Sequence, residues 1–367
     1  MMSSGKKKLR VGVLYGGRSG EHEISLQSAA SVIKNLDTSR YDILPIGIDK
    51  QGRWHVGSMK LIQDSPKTLS IAQDGPEMAL PSYPVSKSEG SLDVIFPIMH
   101  GPLCEDGTIQ GLLELSELPY VGSGVLASAV GMDKDVAKRL ARDSGIPVVP
   151  YVVAKKGQWL KDPKKVGALV EKEIGFPCFV KPSNMGSSVG VHKVKSTTDL
   201  APALSDAFKY DSKVLIEKAI AAREIEVSVL ENAKEGEPPL VSIPGEIAPT
   251  HEFYSYEAKY LDENGAHLMI PAKLDAKQVE QAQKIARDVF TALECEGMAR
   301  VDMFLDKNSG KFYLNEINTL PGFTQISMYP KLWEASGVPY KELLNRLIEL
   351  ALERHRRKQD LSREYLP

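Results

Sequence analysis

Between Ala299 and Gly322 the chain reads Ala-Arg-Val-Asp-Met-Phe-Leu-Asp-Lys-Asn-Ser-Gly-Lys-Phe-Tyr-Leu-Asn-Glu-Ile-Asn-Thr-Leu-Pro-Gly. Two strand-like runs flank the turn residues Asn308, Ser309 and Gly310, which predicts a β-hairpin. A turn centred near Ser309 sets Asp302 opposite Glu316 and Arg300 opposite Asn318. Because side chains alternate faces along a strand, all four then share one face. Two carboxylates and a carboxamide beside an arginine suit a hard cation such as Mg²⁺, which takes oxygen ligands and shares them with nucleotide phosphates. An outward-facing, salt-bridged hairpin is the plainer alternative. The sequel favours the metal: Asn318 to Gly322 continues as a Gly/Pro loop into Gln325-Ile-Ser327-Met328, and loops anchored beside such a face often bind ligands.

A chain of 367 residues exceeds the size at which one core keeps growing, so two or three domains are expected. With 42% hydrophobic and 26% charged residues it has the make-up of a globular protein, and a net charge of −2 gives no reason to expect nucleic acid or an anionic membrane as partner. Cys104, Cys178 and Cys295 are far apart and form no CxxC pair, so each is expected to be a small buried residue in a reducing cytoplasm. The apolar run after the basic start, Val11 to Tyr15, is too short for a signal peptide, and no window is apolar enough to span a bilayer.

Taken in order, Val11–Tyr15 reads as a buried strand, Gly16 to Glu23 as a glycine turn, and Ile24–Leu36 as a helix. The turn lacks GxGxxG and carries Glu21 and Glu23 where a pyrophosphate needs open amides, so a dinucleotide site is disfavoured. Glu21 suits a cationic group such as a substrate amine, while Glu23 complements the helix dipole. Further strands are expected at Tyr41–Ile48 and Asp93–Met99, the latter ending at His100-Gly101-Pro102, where open α/β sheets gather ligands. Ser58 to Gly90 reads as an irregular excursion. Lys134 opens a helix running to about Ser144. Phe176–Pro182 and Val189–Val194 predict two strands joined by the Ser183–Gly190 loop, whose amides and hydroxyls could wrap phosphate with Lys181 adding charge. Lys213–Glu217 and Arg223–Val229 predict two strands about a bend, a hinge where adenine could slot between sheets. Pro249–Gly265, mixed in aromatic and charged residues with no clean period, reads as a lid. The last long run places Leu343, Leu344, Leu347, Ile348, Ala351 and Leu352 on one helical face, and the following Arg354 to Lys358 is expected to be solvated.

As an ordered set, Gly16-Gly-Arg-Ser-Gly-Glu-His-Glu-Ile-Ser25, His100-Gly101, Gly131-Met-Asp-Lys134, Lys181 to Gly190, Tyr256-Glu-Ala-Lys-Tyr260, Ala299-Arg-Val-Asp302 and Asn315 to Gly322 closely resemble the D-alanine:D-alanine ligase family of ATP-grasp enzymes. The resemblance implies an α/β chain of the ATP-grasp fold, with a Rossmann-like N-terminal domain over 1–122, a central domain over 123–217 and a C-terminal domain over 218–367 whose lid is 249–265. It implies ATP as co-substrate with two Mg²⁺, Mn²⁺ being able to substitute, and two D-alanine molecules joined through an acyl phosphate. Carried over by position, Asp302, Glu316 and Asn318 would bind the metals. Lys134, Lys181 and Lys259 would meet phosphates beneath Ser187 and Ser188, and Glu217, Lys218, Ala219, Ile220 and Glu224 would line the adenosine. Glu21 would hold the first substrate's ammonium in a hydrogen-bonded triad with Ser187 and Tyr260, with His100 nearby. Arg300 and the Gly322 N–H would stabilise the oxyanion, and Ser327 and the Met328 N–H would hold the second carboxylate. Tyr260 accompanies amine acceptors in this family, whereas the hinge pair Ala219-Ile220 departs from the bulkier residues that relatives often carry. A cytoplasmic homodimer is also implied.

Three other readings compete: another ATP-grasp ligase with a different carboxylate and amine, a nucleotide-sensing protein without turnover, and a nicotinamide dehydrogenase. The intact set of acids with Arg300 argues against a pure binder, and the broken glycine fingerprint argues against the dehydrogenase.

Overall fold

The computed structural model describes residues 7–60, 67–72, 76, 91–249 and 266–362. Its first sheet holds β1 (Leu9–Gly16), β2 (Tyr41–Ile48), β3 (Trp54–Val56) and β4 (Val94–Ile98) in the order β3-β2-β1-β4. β1 runs parallel to β2 and β4. The near-continuous apolar run of β1 is what a parallel strand covered on both faces requires. Helix α1 (His22–Asn35) begins two residues before the predicted Ile24. The sequence reading lacked β3, which pairs antiparallel with β2 across a short turn where Gly52 has φ +90°. The expected third strand is therefore the fourth.

Three helices follow: α2 (Thr108–Leu115), α3 (Val125–Met132) and α4 (Lys134–Asp143). Asp133 caps α4 by accepting from the N–H groups of Asp135 and Val136, so the helix starts at Lys134 as predicted. The second sheet contains β5 (Tyr151–Lys155), β6 (Cys178–Pro182), β7 (His192–Val194) and β8 (Lys213–Lys218), all antiparallel in the order β5-β8-β6-β7. Between its strands lie α5 (Lys156–Lys161), α6 (Pro163–Glu173) and α7 (Thr197–Ala207). Val166, Val170, Leu200 and Leu204 from α6 and α7 pack on Val180, Val214 and Ile216.

The third sheet is antiparallel, ordered β12-β11-β9-β13-β14, with β10 (Leu240–Val241) also on β9 (Ala222–Leu230). Its other strands are β11 (Gly245–Pro249), β12 (Ala266–Met269), β13 (Met298–Asp306) and β14 (Phe312–Asn318), and α8 (Ala276–Ala292) covers one face. Ala127, Ala137 and Ala141 of α3 and α4 join this core. The chain ends in α9 (Met328–Ala335) and α10 (Tyr340–Gln359). Leu343, Leu344, Leu347, Ile348 and Ala351 of α10 pack with Val11, Val13, Tyr15 and Phe96, so the last helix closes the first sheet.

One expectation is corrected here. Arg354 is buried, donating to the carbonyls of Gly122 and Tyr120 with its guanidinium 4.3 Å from the centre of the Tyr120 ring. Three further members of the basic run also pair, Arg356 with Glu353 and Asp360, Arg357 with Glu231 and Lys358 with Glu114. Arg354 lies one turn beyond Leu350 and Ala351, so helical spacing carries it onto the buried face. All three cysteines are buried, and exposed Glu23 pairs with Lys50 at 2.8 Å. The predicted lid lies almost wholly outside the described residues.

Candidate active site

The hairpin forms with the expected register: Arg300 pairs with Asn318 and Asp302 with Glu316. It does so through an irregularity. Towards the turn the pairing is Met303 with Leu314, so Asn315 is the extra residue of a bulge between Leu314 and Glu316. The bulge lets Leu314 and Ile317 both face the core while Glu316 and Asn318 share the polar face.

On that face charges are tightly interlocked. Arg300 donates from Nε and Nη2 to the two carboxylate oxygens of Asp302, both at 2.7 Å, and Asn318 Nδ2 donates to Asp302 at 2.9 Å. Glu226, cross-strand neighbour of Asp302 on β9, brings Oε2 within 3.0 Å of Arg300 Nε. Despite burial, the Asp302 and Glu226 charges hold the Arg300 guanidinium well above its ordinary pKa. Lys134, first residue of α4, donates to the Met185 carbonyl at 2.7 Å and lies 3.0 Å from Glu316 Oε2.

Above the hairpin hangs the Ser183–Gly190 loop. Ser187 and Ser188 have φ +51° and +60°, successive left-handed residues that L side chains adopt only when their surroundings insist. Such a turn can gather N–H groups around an anion. Ser187 Oγ donates to Glu21 Oε1, which joins the first sheet's turn to the second sheet's loop. A methyl group on Gly186 would fall 2.7 Å from Glu21 Oε2, and one on Gly101 2.8 Å from it, so with any other residue at either position the carboxylate would have to shift.

His100 is buried. Its Nδ1–H donates to the Leu320 carbonyl at 3.2 Å, leaving Nε2 to accept from Ser28 Oγ at 3.4 Å. Burial lowers its pKa, keeping the ring neutral. A narrow cavity lies among Glu105, Lys134, Gly186, Glu316 and Asn318. Glu105 accepts from the Gly101 N–H at 2.6 Å, and burial together with the Glu21 charge raises its carboxyl well above the usual range. Two larger hollows, along Glu114 and Lys358, hold none of the residues named for ATP or metal.

The bend between β8 and β9 carries the chain from the second sheet to the third, the hinge expected from sequence. There Glu217 is buried between two lysines, Lys138 at 2.8 Å and Lys181 at 2.6 Å. Burial opposes its charge, yet the two lysines bring its pKa down to about 2. Lys181 also reaches Asn315 Oδ1 at 3.3 Å, linking hinge and bulge. The Lys218 side chain is exposed, Ala219 donates its N–H to the Pro177 carbonyl at 3.1 Å, Ile220 is half-buried, and Glu224 lies on the same face of β9 as Glu226. The Ala219 N–H is therefore committed to backbone.

After the hairpin, Ser327 is the residue that precedes α9, its side chain making no capping hydrogen bond, and Met328 offers the first N–H of that helix. Ser327 Oγ accepts from the Thr324 N–H at 2.9 Å and sits 2.8 Å from where a Gly322 methyl would be, so a side chain there would displace it. Lys259 and Tyr260 lie outside the described residues.

Glu226, Lys138 and Glu105 received no role from the sequence. Lys138 follows Lys134 by one helical turn, and Glu226 continues the every-second-residue polar row Glu224, Glu226, Ser228; both spacings were available signals. Glu105 had only its proximity to His100.

Comparison with known proteins supplies a second line. The family model described as D-ala D-ala ligase N-terminus matches residues 10–123, and that described as D-ala D-ala ligase C-terminus matches 140–349. The chain is 56% identical to D-alanine–D-alanine ligase A of Bradyrhizobium diazoefficiens, covering 98% of this chain and 99% of the relative. It is 49% identical to D-alanine–D-alanine ligase of Oceanobacillus iheyensis, covering 96% and 98%. Among solved structures it resembles the D-alanine-D-alanine ligase from Coxiella burnetii, with a TM-score of 0.79 at 39% identity over 96% of this chain and 97% of that one. The VanG D-Ala:D-Ser ligase from Enterococcus faecalis also gives a TM-score of 0.79, at 33% identity over 94% and 100%.

Proposed function

The chain belongs to the D-alanine–D-alanine ligase family, and from that premise we propose how its cleft divides the work of joining two D-alanine molecules. The fold is ATP-grasp, and the activity is ATP-dependent formation of D-alanyl-D-alanine for peptidoglycan. A carboxylate resists an amine because its leaving group would be oxide. Transfer of a phosphoryl group from ATP to the first D-alanine gives an acyl phosphate, whose leaving group is phosphate.

Asp302, Glu316 and Asn318 fit a hard cation. The two carboxylates and one carboxamide supply oxygen donors on one face, and a cation there would complete its shell with oxygens of a bound ligand. That is how Mg²⁺ is held beside phosphates. These residues would hold two Mg²⁺, which Mn²⁺ could replace. When bound they neutralise charge on the phosphates.

The chain's own residues do the rest. Lys134, Lys181 and Lys259 bind phosphate oxygens beneath Ser187 and Ser188, while Glu217, Lys218, Ile220 and Glu224 face the adenosine. Glu21 holds the ammonium of the first D-alanine, with Ser187 and Tyr260 completing its hydrogen-bonded triad and neutral His100 behind. Arg300 and the Gly322 N–H donate to the oxygen that gains charge as the amine attacks. Ser327 and the Met328 N–H, at the start of α9, hold the second carboxylate. We further assign domains 1–122, 123–217 and 218–367, a lid at 249–265, a homodimer and a cytoplasmic location. No described helix is long and apolar enough to cross a membrane.

The observation that carries this reading is the meeting of Arg300, Asp302, Glu316 and Asn318 on one strand face within reach of Lys134. ADP release should require both D-alanine and Mg²⁺ and should vanish in Glu316→Ala. Release at an undiminished rate without D-alanine would overturn it. A panel of amino acids scored by phosphate release separates this activity from that of another ATP-grasp ligase.

A further inference from the structure

Glu226 is not among the residues given a role above, yet it stands in line with two that are. Glu226 on β9, Asp302 on β13 and Glu316 on β14 are successive cross-strand neighbours, three carboxylates abreast. One step along, Ser228, Arg300 and Asn318 form the next row. Glu226 is 5% exposed, and its other neighbour is Gly245, where a methyl group would strike Met328. No side chain of β11 therefore crowds Glu226 on the flank away from Arg300.

Both carboxylate oxygens of Asp302 are engaged by Arg300. A carboxylate that gives its oxygens to a cation cannot keep both in a two-pronged arginine pair. If Asp302 is a metal ligand, as proposed above, Arg300 must lose part of its hold, and a buried guanidinium without a counter-ion is strongly disfavoured. Glu226, already 3.0 Å from Arg300 Nε, is the neighbouring acid able to keep it. We propose that Glu226 is the positioning residue that retains Arg300 when Asp302 turns to metal, leaving Asp302 free for the cation and the guanidinium fixed beside the reacting carbonyl. It acts through Arg300 and needs no contact with metal or substrate.

The inference rests on the metal reading of Asp302, and one titration separates the two. Mn²⁺ binding to the ADP-loaded protein is followed by electron paramagnetic resonance in wild type, Asp302→Asn, Glu226→Gln, Arg300→Met and the Glu226→Gln/Arg300→Met double variant. Loss of binding in Asp302→Asn supports the metal reading, and unchanged binding there overturns it. Glu226→Gln should weaken Mn²⁺ binding about tenfold, because Arg300 then competes for Asp302, a change of about 1.4 kcal/mol. In the Arg300→Met background the same substitution should change it less than about twofold, the non-additive behaviour of a coupled pair. An equal or larger loss in that background makes Glu226 a direct metal partner and overturns the proposal, as does no loss from Glu226→Gln alone. If Glu226→Gln does not fold, the double variant against Arg300→Met still decides, since a loss of more than about twofold there contradicts an action through Arg300.

Discussion

Glu105 is a buried carboxyl with Glu21 for a neighbour, and both features raise its pKa well above the ordinary 4.5. Between the ordinary and the raised value the folded chain binds the extra proton, so this group withdraws stability as pH rises. Glu105→Gln keeps an acceptor for the Gly101 N–H and removes the ionisation. Its melting temperature should match wild type at acid pH and exceed it increasingly as pH climbs above the normal glutamate range; the reverse trend would mean that Glu105 is stabilised as the anion. At this scale the sequence was legible where spacing alone fixed a partner. Asp302 and Glu316 could be placed opposite each other from one turn. Glu226 could not join them, because nothing in a single chain tells that β9 will lie beside β13. Arg354 was misread because a run of basic residues at a helix end looks solvated until its phase on the helix is followed.

Among elements, the hairpin β13–β14 keeps its polar face by taking one residue too many as a bulge. With Asn315 looped out of the ladder, the apolar side chains before and after it stay in the core while Glu316 comes abreast of Asp302. Deleting Asn315 makes the pairing regular, Leu314 opposite Met303 and Glu316 opposite Asp302, and because strand side chains alternate every face is kept. Deleting Asn315 should therefore retain metal binding in the Mn²⁺ titration; loss of binding would show that the bulge itself, and not the alternation, sets the face. The strands and the strand-loop-strand around Ser187 were legible from β-branched runs and glycine turns. β3 was not, since three residues carry too little period to register. The left-handed serines of the Ser183–Gly190 loop were also hidden, because serine has no composition signal for positive φ.

For the whole molecule, the notable feature is that the end of the chain returns to its beginning. Helix α10 buries leucines against the first sheet, and Arg354 fastens it by donating to the Tyr120 and Gly122 carbonyls. Arg354→Met would leave two buried acceptors unsatisfied, so it should destabilise by about 2–4 kcal/mol. Calorimetric melting checks this, and an unchanged transition would mean the helix is held by its leucines alone. This return was not legible in the sequence, since amphipathic pattern says that a helix packs and not against what. In the proposed function ATP activates a D-alanine carboxylate as an acyl phosphate in the cleft above the hairpin. Its most direct test uses D-alanine carrying heavy oxygen in the carboxylate and mass analysis of the phosphate released with the dipeptide. The account predicts one labelled oxygen in each phosphate; dipeptide formed alongside wholly unlabelled phosphate would contradict it.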